Sequence, residues 1–278
     1  KWLNPHNTFQ RIGHMQRLHN KKLVIIGGTT GLGLSAAKRF VEEGAQIVVV
    51  GRNPDSAAQA GEILGADNCS ILTGDATDPE ISRKAIDLCL ERWNASDGLY
   101  HVAGGSGRKL GDGPLHEVTD QGIQATLELN LHSIILSNRA AIQTWLELEQ
   151  RGVILNMAST LGYSPSPAFF STHVYAAAKS AVFGFASSIA AYYAAQDIRV
   201  NTIAPALVET PMAQRAAKDP AISQFIKTKQ PLDGGRIGQP QDLDGAAVYF
   251  MSDESRFVTG QTLAVDGGWS VSEGQMTQ

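Results

Sequence analysis

The chain has 278 residues, 43% of them hydrophobic and 18% charged, with a formal net charge of −4. This is the composition of an ordinary globular protein, and its acidic balance gives no support for a nucleic-acid or anionic-membrane partner. Cys69 and Cys89 have neither metal-ligand nor redox spacing, and two isolated thiols suit a reducing cytoplasm. The uninterrupted apolar stretches fall far short of the ~20 residues that span a bilayer, and no secretory pattern opens the chain.

Residues 1–20 show no clear period. Gly13-His14-Met15 is what a cloning junction can leave, so this stretch is read as an expression remnant, with a native arm as the alternative. An apolar strand at 23–26 then leads through Gly27-Gly-Thr-Thr-Gly31-Leu-Gly33 into a helical pattern at 32–43. Further strands are predicted at 46–50, 70–73, 98–102, 153–157, 199–203 and 262–265. The helical patterns between them lie at 55–64, 79–93, 120–149, 174–196 and 241–251. Continuous apolar strands such as Ile47-Val-Val-Val50 suit a parallel sheet covered on both faces. The alternation predicts one α/β domain over residues 21–278, a doubly wound parallel seven-stranded sheet of Rossmann type. In that architecture ligands bind outside the carboxyl ends of the strands. Gly27, Gly51 with Arg52, Asp75, Ala103 with Gly104, Ser159 and Pro205 all fall at such ends.

Two patterns carry chemistry. The first is Tyr175-Ala-Ala-Ala-Lys179, sixteen positions after Ser159. Residues four apart share a helix face, so the ammonium lies near the phenol. A neighbouring cation lowers a phenol's pKa from ~10 toward the range where general acid–base catalysis works. The second is the glycine turn, where amides at a helix start form an anion site and small residues let a pyrophosphate approach. The spacing Gly-x-x-x-Gly-x-Gly differs from the commoner Gly-x-Gly-x-x-Gly fingerprint. Taken singly, each has a plain alternative, a helix surface for one and a tight strand–helix turn for the other.

Together they resemble the short-chain dehydrogenase/reductase family, over residues 21–271. Asn130, Ser159, Tyr175 and Lys179 match its catalytic set. Asn201-Thr-Ile-Ala-Pro205-Ala206 and Thr259-Gly260-Gln-Thr-Leu-Ala-Val-Asp266-Gly267-Gly268 match later segments, the first with Ala for Gly. The resemblance implies an oxidoreductase interconverting a carbonyl and a secondary alcohol by hydride transfer. Tyr175 is its acid/base, Ser159 bonds the substrate oxygen, Lys179 tunes the phenol and holds ribose, and Asn130 supports a proton relay. Implied cofactor contacts are Gly27, Gly28, Thr29, Thr30, Gly31, Leu32 and Gly33 in the turn, and Asp75 with Ala76 at the adenine. Ala103, Gly104, Pro205, Val208 and Thr210 complete them toward the nicotinamide, beside Tyr175 and Lys179. A homo-oligomer, dimer or tetramer, is expected through the small-residue helix surface at 176–196. The competing class is a nucleotide-binding sensor or scaffold without turnover; such relatives usually lose Tyr or Lys. The family's Asn-Asn-Ala-Gly reads His101-Val102-Ala103-Gly104 here, which puts the local geometry in question.

Cofactor choice rests on Arg52. An acid after the second strand holds the 2′-hydroxyl of NAD, whereas arginine accommodates a 2′-phosphate. NADP(H) is therefore the expected cofactor, with NAD(H) admitted; a solvated loop arginine is the alternative. No metal is expected from the histidines, and Arg108-Lys109 is read as a solvated pair rather than an acid-binding one. The substrate pocket is expected between residues 162–173, rich in Phe169 and Phe170, and a polar helical lid at about 206–232, with Met212 at its nicotinamide end.

Overall fold

A computed structural model describes residues 16–275, and the remaining residues lie outside the description. Seven parallel strands form one sheet in the order β3-β2-β1-β4-β5-β6-β7. They are β1 Lys22–Ile26, β2 Gln46–Gly51, β3 Cys69–Thr73, β4 Gly98–His101, β5 Gly152–Met157, β6 Ile198–Pro205 and β7 Thr262–Val265. The order reverses between β1 and β4, which makes the crevice at their carboxyl ends the ligand position. Each predicted strand is present within two residues of its expected ends, so the Rossmann-type expectation holds.

Alternate residues of the strands supply two cores. Leu23, Ile25, Ile47 and Val49 face helix α1 (Gly31–Glu42), where Ala36, Ala37 and Phe40 are buried. Val24, Ile26, Val48 and Val50 face the other way, in one cluster with Ile81, Ala85, Ile86 and Trp145. These come from α3 (Pro79–Trp93) and α5 (Ser133–Glu147). With both faces covered, a strand needs no polar side, and its sequence reads as one apolar run. Helix α2 is Pro54–Leu64. The core also reaches into the end of the stretch read as an expression remnant, where Leu18 is fully buried and Arg17 pairs with Glu254 at 2.6 Å; just beyond it Lys21 pairs with Asp253 at 2.8 Å. Gly13-His14-Met15 lies outside the described residues.

The helix predicted at 120–149 is divided. Helix α4 (Asp120–Leu127) runs through a π-helical turn at Glu128–His132 into α5. One inserted residue changes the bonding from i→i+4 to i→i+5 without ending the helix, and such turns favour functional sites. Helix α6 is His173–Tyr193, followed by a 3-10 turn at Ala194–Gln196. Together they have the length and apolarity to cross a bilayer. Ala, Ser and Gly interrupt their apolar run, so no unbroken apolar stretch of that length stands in the sequence. Here the helix packs on β6 and the π-turn. Beyond β6 come α7 (Gln214–Lys218), α8 (Pro220–Lys229) and α9 (Asp244–Met251).

Candidate active site

A cavity of about 680 Å³ opens along the carboxyl rim of the sheet, from Arg52 and Asp75 past Gly27 and Gly104 to Ser159, Tyr175, Met212 and Trp269. Its nucleotide end is built by the glycine turn. Gly27 holds φ +89°, a conformation that side-chain-bearing residues avoid. A Cβ on Gly33 would stand 2.1 Å from the Gly27 carbonyl oxygen, so helix and strand meet only with glycine there. Gly28 and Gly33 themselves stand behind the cavity, while Thr29, Thr30, Gly31 and Leu32 line it. Side chains cap α2, α3, α4 and α8 through Asn53, Asp78, Thr119 and Asp219. Thr30, the N-cap of α1, makes no such bond, and no acidic residue occupies its first turn. A helix start left uncapped and facing a cavity fits a pyrophosphate.

At the adenosine end, Arg52 follows β2 with its guanidinium largely exposed, 3.4 Å from the Asp75 carboxylate. Burial alone would raise the Asp75 pKa. The amide and hydroxyl of Thr77, together with Arg52, outweigh it and hold the carboxyl below its usual range. Asp75 therefore stands ionised beside Arg52, with both on the wall.

At the other end Ser159 closes β5 and Tyr175 rises from the first turn of α6. The Ser159 side chain acts on the Tyr175 phenol and favours its ionised form. Ser159 Oγ also accepts from the Leu161 N–H at 3.2 Å. Lys179 is buried one turn on, its Nζ donating to the Met157 carbonyl at 2.8 Å and lying 5.8 Å from the Tyr175 ring centre. The expectation that Lys179 lowers the Tyr175 pKa is corrected here. Burial raises the phenol above its ordinary value and only the bond from Ser159 opposes it. Burial also brings Lys179 down to about 8. In this site burial moves both groups toward their neutral forms.

Asn130 sits on the π-turn, fully buried and off the cavity wall. Its Nδ2 donates to the carbonyls of Gly105 and Thr126, both at 2.9 Å, and its Oδ1 accepts from the Gly105 N–H at 3.0 Å. The amide thus fastens the loop after β4 to the helix beneath it. Gly104 lies between this amide and Lys179: a Cβ there would meet Asn130 Oδ1 at 2.9 Å and Lys179 Nζ at 3.3 Å.

His101 resolves the question of the missing asparagines. Its ring is fully buried, with Ser137 Oγ 2.7 Å from Nδ1 and Ser133 Oγ 3.3 Å from Nε2. Burial, then the charge of Lys179, push its pKa down to about 3. A neutral imidazole therefore occupies the middle of the sheet. It joins β4 to α5 through Ser133 and Ser137.

The family model described as Enoyl-(Acyl carrier protein) reductase matches residues 27–270. The chain is a member of the short-chain dehydrogenase/reductase family. It is 33% identical over 258 residues to the NADP-dependent (R)-specific alcohol dehydrogenase of Lentilactobacillus kefiri, covering 91% of this chain and 98% of the relative. It is 30% identical to the glucose 1-dehydrogenase of Gluconobacter oxydans, with 92% and 94% covered. A short-chain type dehydrogenase/reductase structure from Mycobacterium ulcerans superposes with a TM-score of 0.83 at 28% identity, covering 92% of each chain. The protein is accordingly an NAD(P)-dependent oxidoreductase acting on CH–OH or C=O groups.

The substrate end of this dehydrogenase/reductase departs from its expected walls. Of residues 162–173 only Phe170 and Thr172 reach the cavity. Phe169 turns away onto Phe225, at 5.1 Å between ring centres, and Tyr163 onto Phe183 at 5.4 Å. Trp269, absent from the sequence expectations, stands edge-on to Phe170 at 5.6 Å and lines the cavity. Asp266 throws it there by accepting from the Gly268 and Ser270 amides, each at 2.9 Å. Its position directly after Asp266-Gly-Gly268 was the available signal.

The segment expected to be a polar lid also divides. Helix α8 is anchored, with Ile222, Phe225 and Ile226 buried. At its base Gln230 exchanges two hydrogen bonds with the Leu207 backbone, at 3.0 and 3.1 Å. The turn Pro211–Ala213 has no buried residue, and Met212 on it is 56% exposed. Arg108, Lys109 and Arg215 are exposed, as a solvated pair at 108–109 would be, and they also lie on the cavity wall. Among the described residues no group of His, Cys, Asp or Glu is placed to hold a metal.

Proposed function

We propose that this oxidoreductase uses NADP(H) and interconverts a ketone and a secondary alcohol, with Tyr175 as the acid/base group. The observation that carries the reading is the convergence of Ser159, Tyr175 and Lys179 on one cavity that also holds an uncapped helix start and Arg52. When bound, the dinucleotide supplies or accepts a hydride at the carbonyl carbon. Ser159 donates a hydrogen bond to the substrate oxygen and orients it toward Tyr175. In reduction the phenol gives its proton to that oxygen as the carbonyl bond opens. At neutral pH the phenol, raised by burial, holds the proton to be given. Lys179, charged below about 8, stabilises the phenolate left behind and has Nζ available to a ribose hydroxyl. Asn130 acts through the loop that it fastens at Gly105.

Arg52 supports the cofactor preference, since a guanidinium grips a phosphate at two points and no carboxylate replaces it at the end of β2. Cofactor titration tests this reading. NADPH is expected to bind more tightly than NADH, and Arg52→Asp to reverse the order. Charge-assisted bonds of ~1.5–3 kcal/mol set the loss at roughly 10- to 150-fold in affinity. Tighter NADH binding by the parent protein would overturn the preference.

The exposed face of α6 carries Ala177, Ala181, Gly184, Ser188 and Ala191. A second copy of this helix can approach such a surface closely, which supports a homo-oligomer. The buried free thiols Cys69 and Cys89, both raised to about 12 by burial, agree with a reducing compartment such as the cytoplasm.

A further inference from the structure

The cavity has a second cationic station. Arg108 and Lys109 stand on a 3-10 turn, Arg108–Leu110, between Gly107 at φ 71° and Gly111 at φ 101°. The loop carrying it is fixed on both sides to the catalytic end. Upstream, Gly105 is bound to Asn130. Downstream, Asp112 is 4% exposed and accepts the N–H groups of Val174 at 3.1 Å and Tyr175 at 2.8 Å. Arg215 projects from α7, its Nη2 donating to the Phe169 carbonyl at 3.4 Å. All three cations line the same cavity as Tyr175.

These cations are separate from the one read as serving the nucleotide. Arg52 leaves β2 and Ser159 leaves β5, three strands away in the sheet order. At ~4.8 Å per strand that is about 14 Å, and Arg108 is tied to the Ser159–Tyr175 side. Among the described residues none of Arg108, Lys109 and Arg215 takes part in an ion pair. The charge nearest to balancing Arg108 is Asp112, whose two oxygens are engaged by α6. Burial, then repulsion from Arg215, hold the Arg108 pKa below its ordinary value. Two guanidinium groups that line one cavity and repel each other are an arrangement that an anion bound beside them relieves.

We propose that the substrate carries an anionic group, a carboxylate or phosphate, held between Arg108 and Arg215 with Lys109 beside them. Its carbonyl then lies at Ser159 and Tyr175. The walls between the two stations are Leu110, Leu129, Leu161, Phe170 and Trp269, so the body joining carbonyl and anion is apolar. The proposal rests on the oxidoreductase reading above and narrows its substrate class.

The test is a series of aryl and alkyl ketones with a terminal carboxylate at increasing chain length, each compared with its methyl ester, under saturating NADPH. At the matching length the carboxylate is expected to exceed the ester by about 10- to 100-fold in kcat/KM, mainly through KM. Added salt should shrink that ratio. The double variant Arg108→Gln, Arg215→Gln should bring it close to one, while Arg108→Lys with Arg215→Lys retains part of it. NADPH affinity of the double variant reports both on folding and on the alternative use of these cations. A loss of NADPH affinity there, or equal kcat/KM for acid and ester at every length, overturns the anion site while the oxidoreductase reading stands. If no ketone in the series is reduced, that reading fails first, and binding decides the site. Carboxylates should then raise the Tm of the parent NADPH complex and leave that of the double variant unchanged; no difference between the two overturns the proposal.

Discussion

Gly104 shows how closely the site is built at the level of single atoms. Its missing Cβ is the space in which the Asn130 amide and the Lys179 ammonium pass each other. The lysine tip can yield, but Asn130 is held by three hydrogen bonds to backbone. Gly104→Ala is therefore expected to push the loop after β4 by several tenths of an ångström. Turnover should fall by up to ~10²-fold, the scale of a small misplacement at a reacting centre, and stability by ~1–3 kcal/mol as for other overpacked sites. Steady-state kinetics with a denaturant midpoint checks both, and parent-like kinetics would show the contact to be slack. Tyr175 and Lys179 were legible as a pair because helix spacing fixes their common face. The sign of the pKa shift was not legible, since it depends on how much water the fold removes from each group.

At the scale of elements, Asp112 joins the substrate loop to the catalytic helix. It stands eight residues beyond Gly104 in sequence yet satisfies two amides at the start of α6. Asp112→Ala should remove a cap worth ~0.5–2 kcal/mol. It should also lower kcat more than it weakens NADPH binding, because one of the freed amides belongs to Tyr175 itself. Unchanged stability and kcat would mean that other contacts position the helix. The strands were readable because parallel strands covered on both faces are apolar throughout, and the glycine turn was readable from its spacing. The π-turn at Asn130 was not, since one extra residue in a helix leaves the apolar period almost intact. Trp269 and Arg215 were missed for a different reason: nothing local to either says which wall a distant chain segment will meet.

The whole molecule depends on pH through its centre. His101 has an unfolded pKa near 6.5 and a folded value of about 3. Between those values the unfolded chain binds a proton that the folded protein refuses, so stability falls as pH drops through this window. The contribution is roughly a few kcal/mol in total. His101→Asn, which restores the family's residue type, should flatten this part of the stability curve relative to the parent. Parallel curves for the two proteins would place the acid sensitivity elsewhere. His101, Ser133 and Ser137 show what sequence does carry at this scale: the two serines are four apart on one helix face, but only the fold supplies the strand opposite them. The same dependence on assembled neighbours holds for the proton chemistry at Tyr175, where burial and Ser159 act on one oxygen. Tyr175→Phe tests that claim most directly, because it removes the proton and keeps the ring. With a ketone that the parent reduces, NADPH affinity should be largely retained while turnover falls by ~10²–10⁴-fold. Turnover close to that of the parent would contradict the account.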